Sequence, residues 1–101
     1  MKITAIDTIQ LDEFPNLLWV HVHTDEGLVG LGETFMGPAS AAAYVHEQAA
    51  PRLVGQDPLL IDRHSNLLLD GYLGFSGRGA EMRGLSSIDI ALWAIFGQAT
   101  G

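Results

Sequence analysis

Gly27-Leu28-Val29-Gly30-Leu31-Gly32-Glu33 decides the reading of this chain. Three glycines among apolar residues suggest a phosphate loop, but their order is G-x-x-G-x-G, not the G-x-G-x-x-G of a dinucleotide fingerprint. The glycines alternate with Val29 and Leu31 as residues of a strand do. Thr24-Asp25-Glu26, just upstream, closes an alternating stretch that begins at Leu17. Asp25-Glu26-Gly27 therefore reads as a hairpin turn. Glycine inside a strand marks a bulge or close backbone approach, so Gly30 and Gly32 are expected where another element packs against bare backbone.

Strands extend outward from this point. Residues 17–24 are β-branched and aromatic, and residues 28–36 form the strand after the turn. Residues 2–11 alternate, with Ile3, Ala5, Ile9 and Leu11 on one face and Lys2, Thr4, Thr8 and Gln10 on the other. Asp12-Glu13-Phe14-Pro15-Asn16 interrupts the pattern as a loop. Short connections join the three strands into an antiparallel meander. Beyond Gly37-Pro38 the period changes. Residues 39–50 are alanine-rich and favour helix, with Pro51 expected to kink or end it. Asp57 and Pro58 fit the N-cap and first residue of a helix running to about residue 69. Residues 71–79 hold four glycines with Tyr72, Phe75 and Arg78 and read as a loop. A last helix over residues 80–99 carries an apolar stripe of Leu85, Ile88, Leu92, Ile95 and Ala99. The expected class is α+β: a three-stranded antiparallel meander followed by about three helices, in one domain over residues 1–101.

Composition narrows the function. With 48% apolar and 17% charged residues, the chain lies outside the disordered class. A net charge of −7 with five basic residues argues against nucleic acid and against an anionic membrane surface. No cysteine is present, which removes thiolate chemistry and fits a reducing cytoplasm. The N-terminus lacks the apolar region of a signal peptide, and no apolar run is long enough to span a bilayer.

Few side chains announce chemistry. His21 and His23 share a strand face and could supply two metal ligands, but no third is evident, and two half-exposed histidines beside Trp19 are the plainer reading. Glu33, in an apolar strand, is either a base raised by burial or a structural carboxylate bonded to backbone or to Arg83. Asp89 is half of a capping box with Ser86 or a buried hydrogen-bond anchor, with catalysis the least favoured of its three roles. His46 and His64 sit singly on helices as solvated or packed residues, and Trp93 and Phe96 are packing residues. Arg78 and Arg83, near the glycine-rich loop, could bind an anion.

The string from Thr24 to Glu33 resembles the N-terminal capping domain of the enolase superfamily, in the branch of mandelate racemase and muconate lactonising enzyme that includes acid-sugar dehydratases. Leu53-Val54-Gly55-Gln56-Asp57-Pro58 resembles the loop before that domain's second helix. Ser87-Ile88-Asp89-Ile90-Ala91-Leu92-Trp93 resembles its last helix. Three motifs in order cover nearly the whole chain. The resemblance implies a (β/α) barrel of ~250 residues or somewhat less following the cap. That barrel carries the Mg²⁺ ligands and the bases that abstract a proton beside a substrate carboxylate, with the metal stabilising the enediolate. None of those motifs lies within these residues, so no catalytic residue, metal ligand or cofactor is assigned to this chain, and alone it is expected to be inactive.

The resemblance further implies that two loops reach the barrel mouth and select substrate: Asp12, Glu13, Phe14, Pro15 and Asn16 after the first strand, and Phe35, Met36 and Gly37 (with Pro38) after the third. The acidic pair suits a hydroxyl-rich substrate, and the aromatic and methionine side chains supply apolar walls. The partners implied are the barrel, a small carboxylate substrate and a second copy in a homo-oligomer. The expected reaction is dehydration of an acid sugar, with racemisation and cycloisomerisation as the family's other outcomes. One departure stands out. Where the family's final helix usually reads Trp-Asp-x-x-Gly-Lys, this chain has Ala94 and Gln98, which removes an acid and a base. Two readings from other classes remain: a free-standing module that pairs through the uncovered sheet or last helix, and a small metal binder using His21 and His23.

Overall fold

The computed structural model describes residues 1–70 and 80–101, so the loop reading of residues 71–79, including Arg78, lies outside the described residues. Strands β1 (Ile3–Ile9), β2 (Leu17–Thr24) and β3 (Val29–Phe35) form one antiparallel sheet in the order β1-β2-β3. Helices come next along the chain: α1 (Pro38–Tyr44), a π-helical turn (Val45–Ala49), α2 (Ala50–Leu53), α3 (Ile61–Asp70) and α4 (Ala80–Thr100). No helix among the described residues is long and apolar enough to cross a membrane.

The hairpin reading holds. Gly27 takes φ +82°, a backbone state that glycine adopts without strain. Thr24 donates from both its amide and its hydroxyl to the Leu28 carbonyl, at 3.2 and 2.8 Å. The following strand alternates strictly, with Gly30, Gly32 and Thr34 facing in and Val29, Leu31, Glu33 and Phe35 facing out. The element packed on the bare backbone is α4. A Cβ on Gly30 would strike the Ala91 carbonyl, and one on Gly32 the Ser87 carbonyl. Residue numbers fall along α4 as they rise along β3, so strand and helix run antiparallel. Leu18, Val20 and Val22 of β2 join Ile88, Leu92 and Ile95 of α4 and Val45 and Leu53 in the core.

Several expectations are corrected. In β1 the buried residues are Ile3 and Ile6, while Ala5 and Ile9 are half-buried and Leu11 is exposed. Ile3 pairs with Thr24 but Ala5 pairs with His23, so one extra residue enters β1. A bulge of this kind reverses the inward–outward phase of the residues after it. Pro51 does not end its helix, which runs on to Leu53. Upstream the backbone widens into a π turn in which the Ala50 amide bonds to the Val45 carbonyl. Proline has no amide and its ring crowds the carbonyl four residues back; the wider turn is where such a conflict is accommodated. Asp57 caps a turn instead of a helix. Its Oδ1 accepts from the Leu59 amide at 2.9 Å, and α3 begins only at Ile61. On α4 the buried stripe ends at Ile95, since Ala99 is exposed. Trp93 and Phe96 pack edge to face on each other, with ring centroids 5.5 Å apart, but stay largely outside the core.

Candidate functional site

Both loops singled out in the sequence emerge at the same end of the sheet. Leu17 opens β2 opposite Phe35, the last residue of β3. The two loops are therefore neighbours, and the Met36 amide ties them by donating to the Asn16 carbonyl at 3.0 Å. The first loop is built from two successive turns, Phe14 N to Leu11 O and Leu17 N to Phe14 O, at 3.0 and 3.1 Å. Within it the Phe14 ring stands edge-on to Trp19, with centroids 6.0 Å apart. Asp12, Glu13, Pro15 and Asn16 are exposed around it, and Phe35, Met36 and Gly37 are exposed across from it. All eight residues thus form one surface.

Met36 has φ +62° and is the one non-glycine residue with positive φ among the described residues; Gly37 follows at +70°. For a side chain with a Cβ the left-handed region costs about 1–2 kcal/mol. Such strain persists where surrounding structure holds it, and it clusters at binding sites. Residue type does not announce it: methionine carries no left-handed signal, and only the adjoining Gly37-Pro38 hinted at a sharp corner.

Arg83, on the first turns of α4, reaches this end from beneath. A Cβ on Gly37 would lie 3.4 Å from its terminal guanidinium nitrogen. Its Nε is shielded from water and has no hydrogen-bond partner among the described residues. Glu33, considered as its partner or as a buried base, is neither: it points outward from β3 opposite Trp19, on the sheet face away from α4, and is exposed.

The other candidates are spread elsewhere and serve structure. His23 Nε2 lies 2.8 Å from Asp7 Oδ2 on the outer sheet face, and His21 stands beside it. No group of three or more His, Cys, Asp or Glu side chains is placed to hold a metal among the described residues. His46 Nε2 meets the Thr8 hydroxyl at 2.7 Å. His64 is buried, its Nε2 2.7 Å from the Asp57 carbonyl. Asp89 is an anchor, not part of a capping box: it accepts from Ser65 at 2.9 Å and joins α4 to α3. Gln98, one of the two departures, donates to the Val29 carbonyl at 2.8 Å and ties the end of α4 to β3.

Among the described residues, two apolar areas stay uncovered. One is the outer sheet face at Val29, Leu31 and Phe35. The other is a groove in which Leu59 and Leu60 meet Trp93 and Phe96.

This architecture has counterparts among known proteins. Residues 3–101 match the family model for the mandelate racemase / muconate lactonizing enzyme N-terminal domain. A solved enolase of the mandelate racemase subgroup from Agrobacterium tumefaciens is 59% identical, with a TM-score of 0.94 over 99% of this chain and 27% of that one. An enolase from Pantoea ananatis, solved with bound D-gluconate and Mg, is 32% identical with a TM-score of 0.89, over 99% of this chain and 25% of that one. A curated D-galactonate dehydratase from Pectobacterium atrosepticum is 40% identical over 104 residues, 100% of this chain and 26% of the relative. The chain thus spans about a quarter of the length of the proteins it matches.

Proposed function

The chain belongs to the mandelate racemase / muconate lactonizing enzyme N-terminal domain family of the enolase superfamily, and from that premise we propose that it is the substrate-selecting cap of an acid-sugar dehydratase. The single observation that carries this reading is the joining of the 12–16 and 35–37 loops into one exposed surface, held by the Met36–Asn16 bond and strained at Met36. In the proposed enzyme the remaining three quarters of the protein form a barrel that abstracts the α-proton of a carboxylate substrate. Mg²⁺ belongs to that barrel and there offsets the charge that develops on the substrate carboxylate; among the described residues no three His, Asp or Glu side chains converge to hold a metal.

The work left to this chain is recognition and exclusion of water. Phe14, Phe35 and Met36 supply apolar walls, and the Asp12 and Glu13 carboxylates and the Asn16 amide supply partners for sugar hydroxyls. Loops that close over a barrel mouth strengthen every electrostatic interaction inside it. The uncovered groove at Trp93 and Phe96 fits packing against the rest of the protein, and the outer sheet face fits a second copy. Both surfaces equally suit the rival reading, a free-standing module that associates with itself or with a partner.

The decisive experiment follows α-proton exchange of acid sugars in D₂O with Mg²⁺. The full-length gene product is expected to exchange the proton and release water. The 101-residue chain by itself is expected to do neither, and exchange by it alone would overturn the division of labour proposed here.

A further inference from the structure

We infer that Arg83 is a specificity residue that holds a second anionic group on the substrate, at the end remote from the reacting carboxylate. The inference rests on the cap reading above and narrows its substrate class from acid sugars in general to diacids.

A guanidinium nitrogen removed from water without a partner forfeits its hydration and gains nothing, so buried charged donors are normally paired. Partners are abundant in this chain, which has twelve Asp and Glu against five Lys and Arg. Yet Arg83 Nε is shielded and bonded to none of the described residues, and Glu33 faces away on the other side of the sheet.

Register then places the charge. Ala91 lies under Gly30 and Ser87 under Gly32, so one turn further back Arg83 comes level with Thr34, and its guanidinium reaches on to Gly37 in the 35–37 loop. There Gly37 leaves room that a side chain would crowd. Arg52 Nη1 is also unpaired, but it lies on α2, whose following residues Gly55 and Gln56 bond to Ile3 at the far end of the sheet. Among the described residues, Arg83 alone combines an unmet donor with a position at the joined loops. With Nε shielded, the terminal edge of its planar fork, at Gly37, is the part that matches a carboxylate in two-point geometry. Proton abstraction occupies the barrel end of the substrate, so the group that meets Arg83 is at the opposite end.

The test compares galactarate with D-galactonate, which differ only in carrying a carboxylate or a hydroxymethyl group at that remote carbon. Steady-state kcat/KM is measured for the full-length protein and for Arg83→Gln and Arg83→Lys. Arg83→Gln is expected to lower kcat/KM for galactarate about 10- to 100-fold, the range for a charge-assisted hydrogen bond. D-galactonate should stay within about threefold, and Arg83→Lys should recover part of the loss. Equal losses on both compounds would assign Arg83 to folding or to a carboxylate elsewhere in the protein, and no loss on either would leave it without a role; both overturn the inference. If neither compound is turned over, the acid-sugar reading fails on its own. Calorimetric binding of the same two compounds then decides for Arg83: a preference for galactarate that Arg83→Gln abolishes upholds the inference, and its absence overturns it.

Discussion

Gly32→Ala should be far more damaging than an added methyl group suggests. The new Cβ would lie 2.8 Å from the Ser87 carbonyl carbon, 3.3 Å from the Ala91 amide nitrogen, and well inside contact distance of the Ser87 carbonyl oxygen. These are backbone atoms of α4, so no rotamer change relieves the clash. The helix must withdraw from β3 by about 1 Å, and a gap of that size forfeits roughly a quarter to a half of the dispersion well for the facing atoms. Ile88, Leu92 and Ile95 are essentially fully buried on that helix, and each contributes about 1.5–3 kcal/mol by burial. The resulting loss is about 2–4 kcal/mol. Reduced unfolded-state entropy returns about 0.4–1 kcal/mol, leaving a net destabilisation of about 1–3.5 kcal/mol. For a domain of this size that is a fall in Tm of roughly 5–25 °C. Gly97→Ala is the control, because a Cβ there meets nothing within 4 Å. On a helix it should stabilise by about 0.5–1 kcal/mol. Urea titrations followed by tryptophan fluorescence measure both. A Gly32→Ala protein within about 0.5 kcal/mol of wild type would refute the packing argument.

Single contacts carry the other expectations. Met36→Gly should hold or raise stability by up to about 1 kcal/mol by relieving the left-handed strain, whereas Met36→Val should lower it by about 1–2 kcal/mol; thermal unfolding reads both. Ser65→Ala should cost about 1 kcal/mol by leaving the half-buried Asp89 carboxylate short of a donor, and Asp89→Ala combined with it should be less than additive in a double-mutant cycle. Zn²⁺ titration of wild type and His23→Ala should give the same weak binding, because Asp7 engages His23 and no third ligand converges among the described residues; tight binding lost in His23→Ala would revive the metal-binding reading.

Legibility in the sequence depends on where the controlling interaction lies. Residues Leu17 to Thr24 alternate in two-residue steps and sit centrally in the sheet, so β2 was legible to the residue. Gly30 and Gly32 signalled a bulge or a close approach, and the helix packed on them makes it the second. By contrast, the β1 bulge has no residue-type signature, and it moved Ile6 into the core and turned the residues after it out of the expected phase. Asp57 could cap a turn or a helix with the same side-chain bond, and sequence does not separate the two. Pro51 marked a backbone conflict, but its resolution by a π turn depends on packing from Val45 to Leu53. At the candidate site, Pro15 and Asn16 broke the strand pattern and Gly37-Pro38 ended it, so the loops were visible. Their union at one end is a consequence of the meander. The position of Arg83 beneath Gly37 was not visible, because it depends on the register of α4 against β3, a contact between residues more than 40 apart in sequence.

The most direct test of the central claim is kcat/KM of the full-length protein, with Mg²⁺, on a panel of acid sugars, for wild type and for Phe14→Ala, Phe35→Ala and Met36→Ala. The account predicts dehydration of at least one acid sugar. It further predicts that each substitution changes KM or the order of preference by about tenfold, in keeping with the loss of an apolar contact of about 1–2 kcal/mol, while Tm stays within a few degrees. Dehydration that proceeds with unchanged preference in all three variants, or no dehydration of any acid sugar, would contradict it.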